Sequence, residues 1–238
     1  MAITVFVFGL LIGLFLNFLI YIIPKDEIVA WHFSLRSFLF ECGQYECCNW
    51  KTNLQSIMVV LSNGIVYLLI YLRFYHIENL DFIFYSLISS CLIVITSIDL
   101  KEQIIPDSLV LSIFGLSVLH KTFLHFLSSI SFPVLDSLLG LILAGLLFVL
   151  IVVFSGGGMG EGDVTLISAL GFVVGLRMIF LVIFFSFILG ALISIFLLGT
   201  GLKTRKDPIP FGPFIVLGYF IVIFRGEEIL RWYISLLT

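Results

Sequence analysis

The sequence predicts an all-α fold: a polytopic membrane bundle of about eight transmembrane helices. Composition and segmentation carry that prediction. Of the 238 residues 61% are hydrophobic and 11% charged, and the mean hydropathy is +1.24. A soluble domain carries about a quarter charged residues, so this chain has too little polar surface to cover a globule in water, and the bilayer is its expected solvent. The apolar residues fall into runs near the ~20 residues that cross a bilayer as a helix, separated by short polar links.

The first span covers about 3–23 and closes on Pro24. It opens without a basic segment and shows no small-residue cleavage site, so it is expected to be retained. A polar insert at about 24–54 follows. Spans are then expected at about 55–73, 82–98, 108–126 and 134–154. The run from Val164 to Gly199 is too long for one crossing and holds Arg177 near its middle, where a charge is costly unless it reaches an interface. Splitting it there gives spans at about 164–176 and 178–199, and an eighth at about 211–224. Residues 1–238 form one expected membrane domain, without internal repeats.

Charge sets orientation. The insert and the links at 99–107, 155–163 and 201–210 share one face and hold Lys25, Arg36, Lys51, Lys101, Lys203, Arg205 and Lys206. The opposite face holds Arg73, Arg177, Arg225 and Arg231, with Lys121 near it. The first set is larger and lies in short loops, which makes that face cytoplasmic. The net charge is −3 with no basic block, so nucleic acid is not an expected partner.

Two carboxylates stand at span ends on the cytoplasmic face: Asp99 in SIDLKEQIIPD and Asp163 in GGGMGEGD. Singly, each reads as an interfacial helix end, and Asp163 also as an N-cap. Brought together, two carboxylates cannot both ionise easily and share a proton. One then takes a proton from water while the other polarises a peptide carbonyl. Gly160 and Gly162 flank Glu161, and their missing Cβ atoms would admit positive φ and a close substrate strand. Their placement on one face beside GEGD favours the dyad reading.

These motifs resemble the type IV prepilin peptidase family. GMGEGDVTLISALG is similar to its GxGD signature, and IDLKEQIIPD to its other motif, an Asp followed about eight residues later by Pro-Asp. GLLIGLFLNFLIYIIP resembles its opening segment and IPFGPFIVLG its late Pro-x-Gly-Pro motif. The four occur in the family's order along nearly the whole chain. The resemblance implies a membrane aspartyl endopeptidase that cleaves a short basic leader from prepilin or pseudopilin precursors, at the cytoplasmic face of the bacterial inner membrane. Asp99 and Asp163 map onto the family's catalytic pair. Asp107, with Pro106, maps onto the Pro-Asp turn and is read as structural, and Glu161 occupies the variable position of GxGD. Pro210, Gly212 and Pro213 shape the start of the last span.

Many relatives also methylate the new N-terminus with S-adenosylmethionine and carry two CxxC pairs suited to zinc in the first loop. Here the loop is shorter, and Cys42 and Cys47 are separated by four residues with Cys48 adjacent, not arranged as CxxC pairs, so free thiols are the favoured reading over a zinc site completed by His32. Peptide cleavage requires no cofactor, and the altered loop leaves methyl transfer in question. Asn17, inside the first span, is read first as helix glue and second as a substrate contact. Thr165 stands where many relatives carry Lys. Lys101 and Lys203 read as interfacial cations, His120 and His125 as lying near the outer face, and Cys91 as packing. Gly140, Gly145, Gly171, Gly175 and Gly190 are expected to permit close helix packing.

Three other readings compete. A presenilin-type GxGD protease would pair Tyr-Asp with its second motif, but Ile98 precedes Asp99, and no Pro-Ala-Leu triplet occurs. A proton- or cation-coupled transporter would place carboxylates near the midplane and carry paired repeats. A non-catalytic assembly protein would make both aspartates dispensable.

Overall fold

The computed structural model describes residues 1–25, 54–74, 79–128, 134–155, 159–204 and 207–237. The insert with His32, Cys42, Cys47 and Cys48 lies outside them. The described residues form eight α-helices: α1 (Ala2–Ile22), α2 (Leu54–Phe74), α3 (Asn79–Glu102), α4 (Asp107–Ser128), α5 (Val134–Ser155), α6 (Glu161–Val174), α7 (Leu176–Gly199) and α8 (Gly212–Leu237). Helices are the expected outcome, because in hydrocarbon each backbone N–H and C=O must find its partner within the segment or in a closed barrel. All of these except α6 and α8 are long and apolar enough to cross a membrane. Their outer faces stay apolar: Leu135, Leu139, Ile142, Leu146 and Val153 on α5 are exposed, as are Phe180, Phe184, Leu192 and Ile195 on α7. A soluble protein does not expose patches of that size, and the chain is a multi-pass helical membrane protein.

The residues divide into two compact units, Met1–Lys101 and Glu102–Thr238. In the first, α1 and α2 touch backbone to backbone. A Cβ on Gly13 would come within 2.8 Å of the Val60 Cα, and one on Gly9 within 3.0 Å of the Gly64 Cα. Small residues four apart permit that approach, and it brings polar groups into range. Asn63 Nδ2 donates to the Gly9 carbonyl at 2.7 Å, Ser90 Oγ donates to Asn63 Oδ1 at 3.1 Å, and Tyr67 Oη lies 3.0 Å from Ser90 Oγ. This chain of bonds ties α1, α2 and α3 together beside a core of Tyr67, Ile70, Ile88, Leu92 and Ile95.

In the second unit α6 is the most enclosed element, with α4, α5 and α7 against it. Its 14 residues rise about 21 Å, short of the ~30 Å hydrocarbon thickness. The break that ends it falls at Gly175, two residues before the expected position at Arg177, because Gly175 adopts φ +81°. Only glycine takes that conformation readily; Arg177 becomes the second residue of α7, with its side chain exposed. Gly140 of α5 and Gly171 of α6 meet so closely that a Cβ on either would run into the other's carbonyl. The last helix continues well past residue 224, to Leu237, through a polar stretch with Arg225–Glu228 and Arg231–Glu227 ion pairs.

Candidate active site

Asp99 and Asp163 belong to different compact units, and each is described within its own. Asp99 lies in the last turn of α3 and is 5% exposed. The helix runs a turn beyond the expected span end, so the carboxylate sits inside the helix. Near it Ser97 Oγ donates to the Ile93 carbonyl at 2.8 Å, and Gln55 Nε2 from the first turn of α2 donates to the Ser97 carbonyl at 3.2 Å. The start of α2 is thereby tied to the end of α3 that carries Asp99.

Asp163 is the third residue of α6 and is 6% exposed. The N-cap is Gly160, so the expectation of Asp163 as N-cap is corrected: its N–H donates to the Gly160 carbonyl at 3.2 Å, within the first turn. A carboxylate there faces the positive end of the helix dipole. The expectation of positive φ at Gly160 and Gly162 is also corrected. Gly160 is extended (φ −71°, ψ 146°), and the positive-φ glycines among the described residues are Gly175 and Gly201. Gly162 has a packing reason instead, since a Cβ there would lie 2.8 Å from Ile105 Cβ. At Gly160 an added Cβ would sit in ordinary contact, 3.4 Å from Asp163 Oδ2. Glu161 and Thr165 point outward, and the Thr165 hydroxyl donates to the Gly162 carbonyl at 2.9 Å.

The remaining motif residues frame this end of the second unit. Pro106 accepts from the Leu109 and Val110 amides at 3.1 and 3.4 Å, and the exposed Asp107 begins α4. Gly212 and Pro213 are buried in the first turn of α8, where proline suits the helix start. Phe211 accepts there from the Phe214 and Ile215 amides, with Pro210 half-buried just before. The link ahead of α8 is braced by Asp207, whose Oδ2 accepts from the Thr204 N–H at 2.7 Å and hydroxyl at 2.9 Å. The Thr204 N–H holds the Asp207 carboxyl below the usual carboxylate range, with the hydroxyl as the second cause. Asn17, in the first unit, donates to the Ser56 carbonyl at 3.1 Å and so bonds α1 to α2.

Similarity to known proteins follows the same residues. A sequence profile of the type IV leader peptidase family matches residues 86–195, a stretch containing Asp99, Asp107 and the GEGD turn. The chain is 28% identical over 205 residues to the prepilin leader peptidase/N-methyltransferase of Bacillus subtilis (strain 168), covering 84% of this chain and 78% of the relative. The chain is similar to the type IV leader peptidase family along that stretch. Two further relatives with the same name are that of Legionella pneumophila, 35% identical over 60% of this chain, and that of Aeromonas hydrophila, 31% identical over 63%. The matched part spans about half the length of each, 50% and 51%. No solved structure matches.

Two polar side chains escaped the sequence reading of the site. Lys121 of α4 reaches across the second unit: Nζ donates to Ser137 Oγ on α5 and, at 2.5 Å, to the Phe172 carbonyl in the last turn of α6. It also lies 4.8 Å from the centre of the Phe172 ring. A cation there satisfies a carbonyl at the helix C-terminus, and a lysine within an apolar run was the available signal. Gln103 is the other; no sequence pattern marks it. Among the described residues no group of three or more His, Cys, Asp and Glu side chains is placed to hold a metal ion.

Proposed function

We propose that this chain belongs to the type IV leader peptidase family and is a membrane-embedded aspartyl endopeptidase that removes the short basic leader of a type IV prepilin or pseudopilin at the cytoplasmic membrane face. Asp99 and Asp163 are the working pair. The observation that carries the reading is local: Ile105, six residues after Asp99, packs on Gly162, the residue before Asp163. The link that leaves the Asp99 helix is therefore seated on the GEGD turn. With α4 and α5 each crossing once, the chain returns at residue 155 to the side it left at residue 107, which is the side where α6 begins.

In the proposed reaction one carboxylate accepts a proton from water as the water oxygen attacks the scissile carbonyl. The other, protonated, transfers its proton to that carbonyl oxygen, and a neutral tetrahedral diol forms. The first carboxyl then passes the proton it took from water to the amide nitrogen, the C–N bond breaks as a diol hydroxyl becomes the new carbonyl and returns its proton to the second carboxylate, and the pair is left with one proton between them. This needs two carboxylates and water. The substrate's apolar helix lies in the bilayer and its basic leader in the cytoplasm, so the scissile bond falls at the interface. The relatives' names also carry N-methyltransferase; methyl transfer from S-adenosylmethionine by this chain is a separate proposal, checked by label transfer from methyl-labelled S-adenosylmethionine to the cleaved product.

The test is cleavage of a purified prepilin by the detergent-solubilised chain, with mass spectrometry of the new N-terminus and Asp163→Asn as the blank. Cleavage at the end of the basic leader by wild type alone is expected. Cleavage elsewhere, or equal cleavage by the blank, overturns the reading.

A further inference from the structure

We infer that Gln103 is a positioning residue for the GEGD turn: its side chain pins the 103–106 link to the carbonyl of Pro208, and the pinned link is the wall on which Gly162, the neighbour of Asp163, is seated. The inference rests on the proposed role of Asp163.

Gln103 is the one non-glycine residue with positive φ (57°) among those described, and it directly follows Glu102, the last residue of α3. That position after a helix end usually belongs to glycine, since a Cβ is disfavoured in the left-handed region. A side chain retained there, in a conformation that costs the backbone, has a use to be found. The amide Nε2 donates to the Pro208 carbonyl at 3.3 Å, joining segments 105 residues apart. Lys203 Nζ donates to the same oxygen at 2.7 Å, so both lone pairs of that carbonyl are engaged.

The acceptor segment is itself held. Thr204 and Asp207 close a turn through two bonds to Asp207 Oδ2 and a third from the Asp207 N–H to the Thr204 carbonyl at 3.1 Å. Pro208 therefore offers a fixed anchor, and Gln103 transfers that fixity to the link. Two residues on, Ile105 stands against Gly162 with no room for a Cβ between them. The line of force runs from the Thr204–Asp207 turn through Pro208, Gln103 and Ile105 to Gly162, whose neighbour is Asp163. Gln103 acts through others and touches no reacting atom.

Gln103→Glu is the sharpest probe, because it keeps size and shape but faces an acceptor with an acceptor. Gln103→Gly relaxes the backbone and removes the amide, and Gln103→Lys restores a donor. In the full-length chain, hydrogen exchange of amides 160–165 is expected to rise about tenfold in Gln103→Glu and Gln103→Gly, with a return toward wild type in Gln103→Lys. With a cleavable prepilin, kcat per folded molecule is expected to fall by a similar factor with KM little changed, and the pH profile of kcat to shift. Unchanged exchange at 160–165 in Gln103→Glu overturns the inference, as does a thermal midpoint that falls while kcat per folded molecule holds. The exchange readout needs no substrate, so failure of the peptidase reading would show separately, as wild type that does not cleave.

Discussion

Lys121→Met removes the cation from the C-terminal end of α6 while keeping side-chain length and apolar bulk. Wild-type Nζ makes two bonds, to the Phe172 carbonyl and Ser137 Oγ, and lies over the Phe172 ring. A hydrogen bond from a charged group contributes about 1.5–3 kcal/mol in soluble proteins. Bonds between membrane helices average nearer ~0.6 kcal/mol, because the unfolded helices find other partners in the bilayer. Two bonds at values between those limits, less the cost of keeping an amine half-buried, leave a loss of roughly 2 kcal/mol, or about thirtyfold in the folded-to-unfolded ratio. Lys121→Arg keeps a donor and should lose less. The assay is reversible unfolding by a denaturing detergent in mixed micelles, followed by circular dichroism or tryptophan emission. A Lys121→Met chain that unfolds at or beyond the wild-type midpoint would refute the reasoning and make the lysine a tolerated charge.

Further outcomes follow from the same geometry. Gly171→Ala drives a Cβ into the Gly140 carbonyl, a backbone atom that cannot swing aside; a loss of about 1–3 kcal/mol is expected in the same unfolding assay, while Gly115→Ala, which meets nothing within 4 Å, should be neutral or better. Gly162→Ala presses on Ile105 and is expected to lower kcat more than stability, read from cleavage per folded molecule. The Asp207 carboxyl is held below its ordinary value, so its contribution is present above that ordinary value, near pH 4, and is lost as pH falls through the depressed one. Protection of the Thr204 amide, corrected for intrinsic exchange, should stay level from about pH 5 to 8 and drop only in stronger acid.

Much of this fold was legible because hydropathy and the backbone's need for internal partners act on the same segments. Eight apolar runs became eight helices, with boundaries shifted by a few residues except at the end of the last, which runs on to Leu237. The break between α6 and α7 was misplaced because the costly residue, Arg177, was weighed and the conformationally free one, Gly175, was not. The two aspartates were visible because a carboxylate at the end of an apolar run needs a reason. The GEGD glycines were legible as a motif but misread in mechanism, since close contact with Ile105 is a tertiary fact that no local pattern carries. Gln103 was hidden for the same reason: its partner lies 105 residues away, and its left-handed backbone leaves no mark in composition. Lys121 was seen, and its C-terminal partner on α6 was not.

The central claim is that Asp99 and Asp163 act as one unit. Single-turnover cleavage of a prepilin by wild type, Asp99→Asn, Asp163→Asn and the double variant, at matched folded concentration, tests it most directly. Residues that act together are grossly non-additive, so each single change should abolish cleavage and the double variant should be no worse than either. A single variant that cleaves at the wild-type rate, or two partial losses that multiply in the double variant, would contradict the pair.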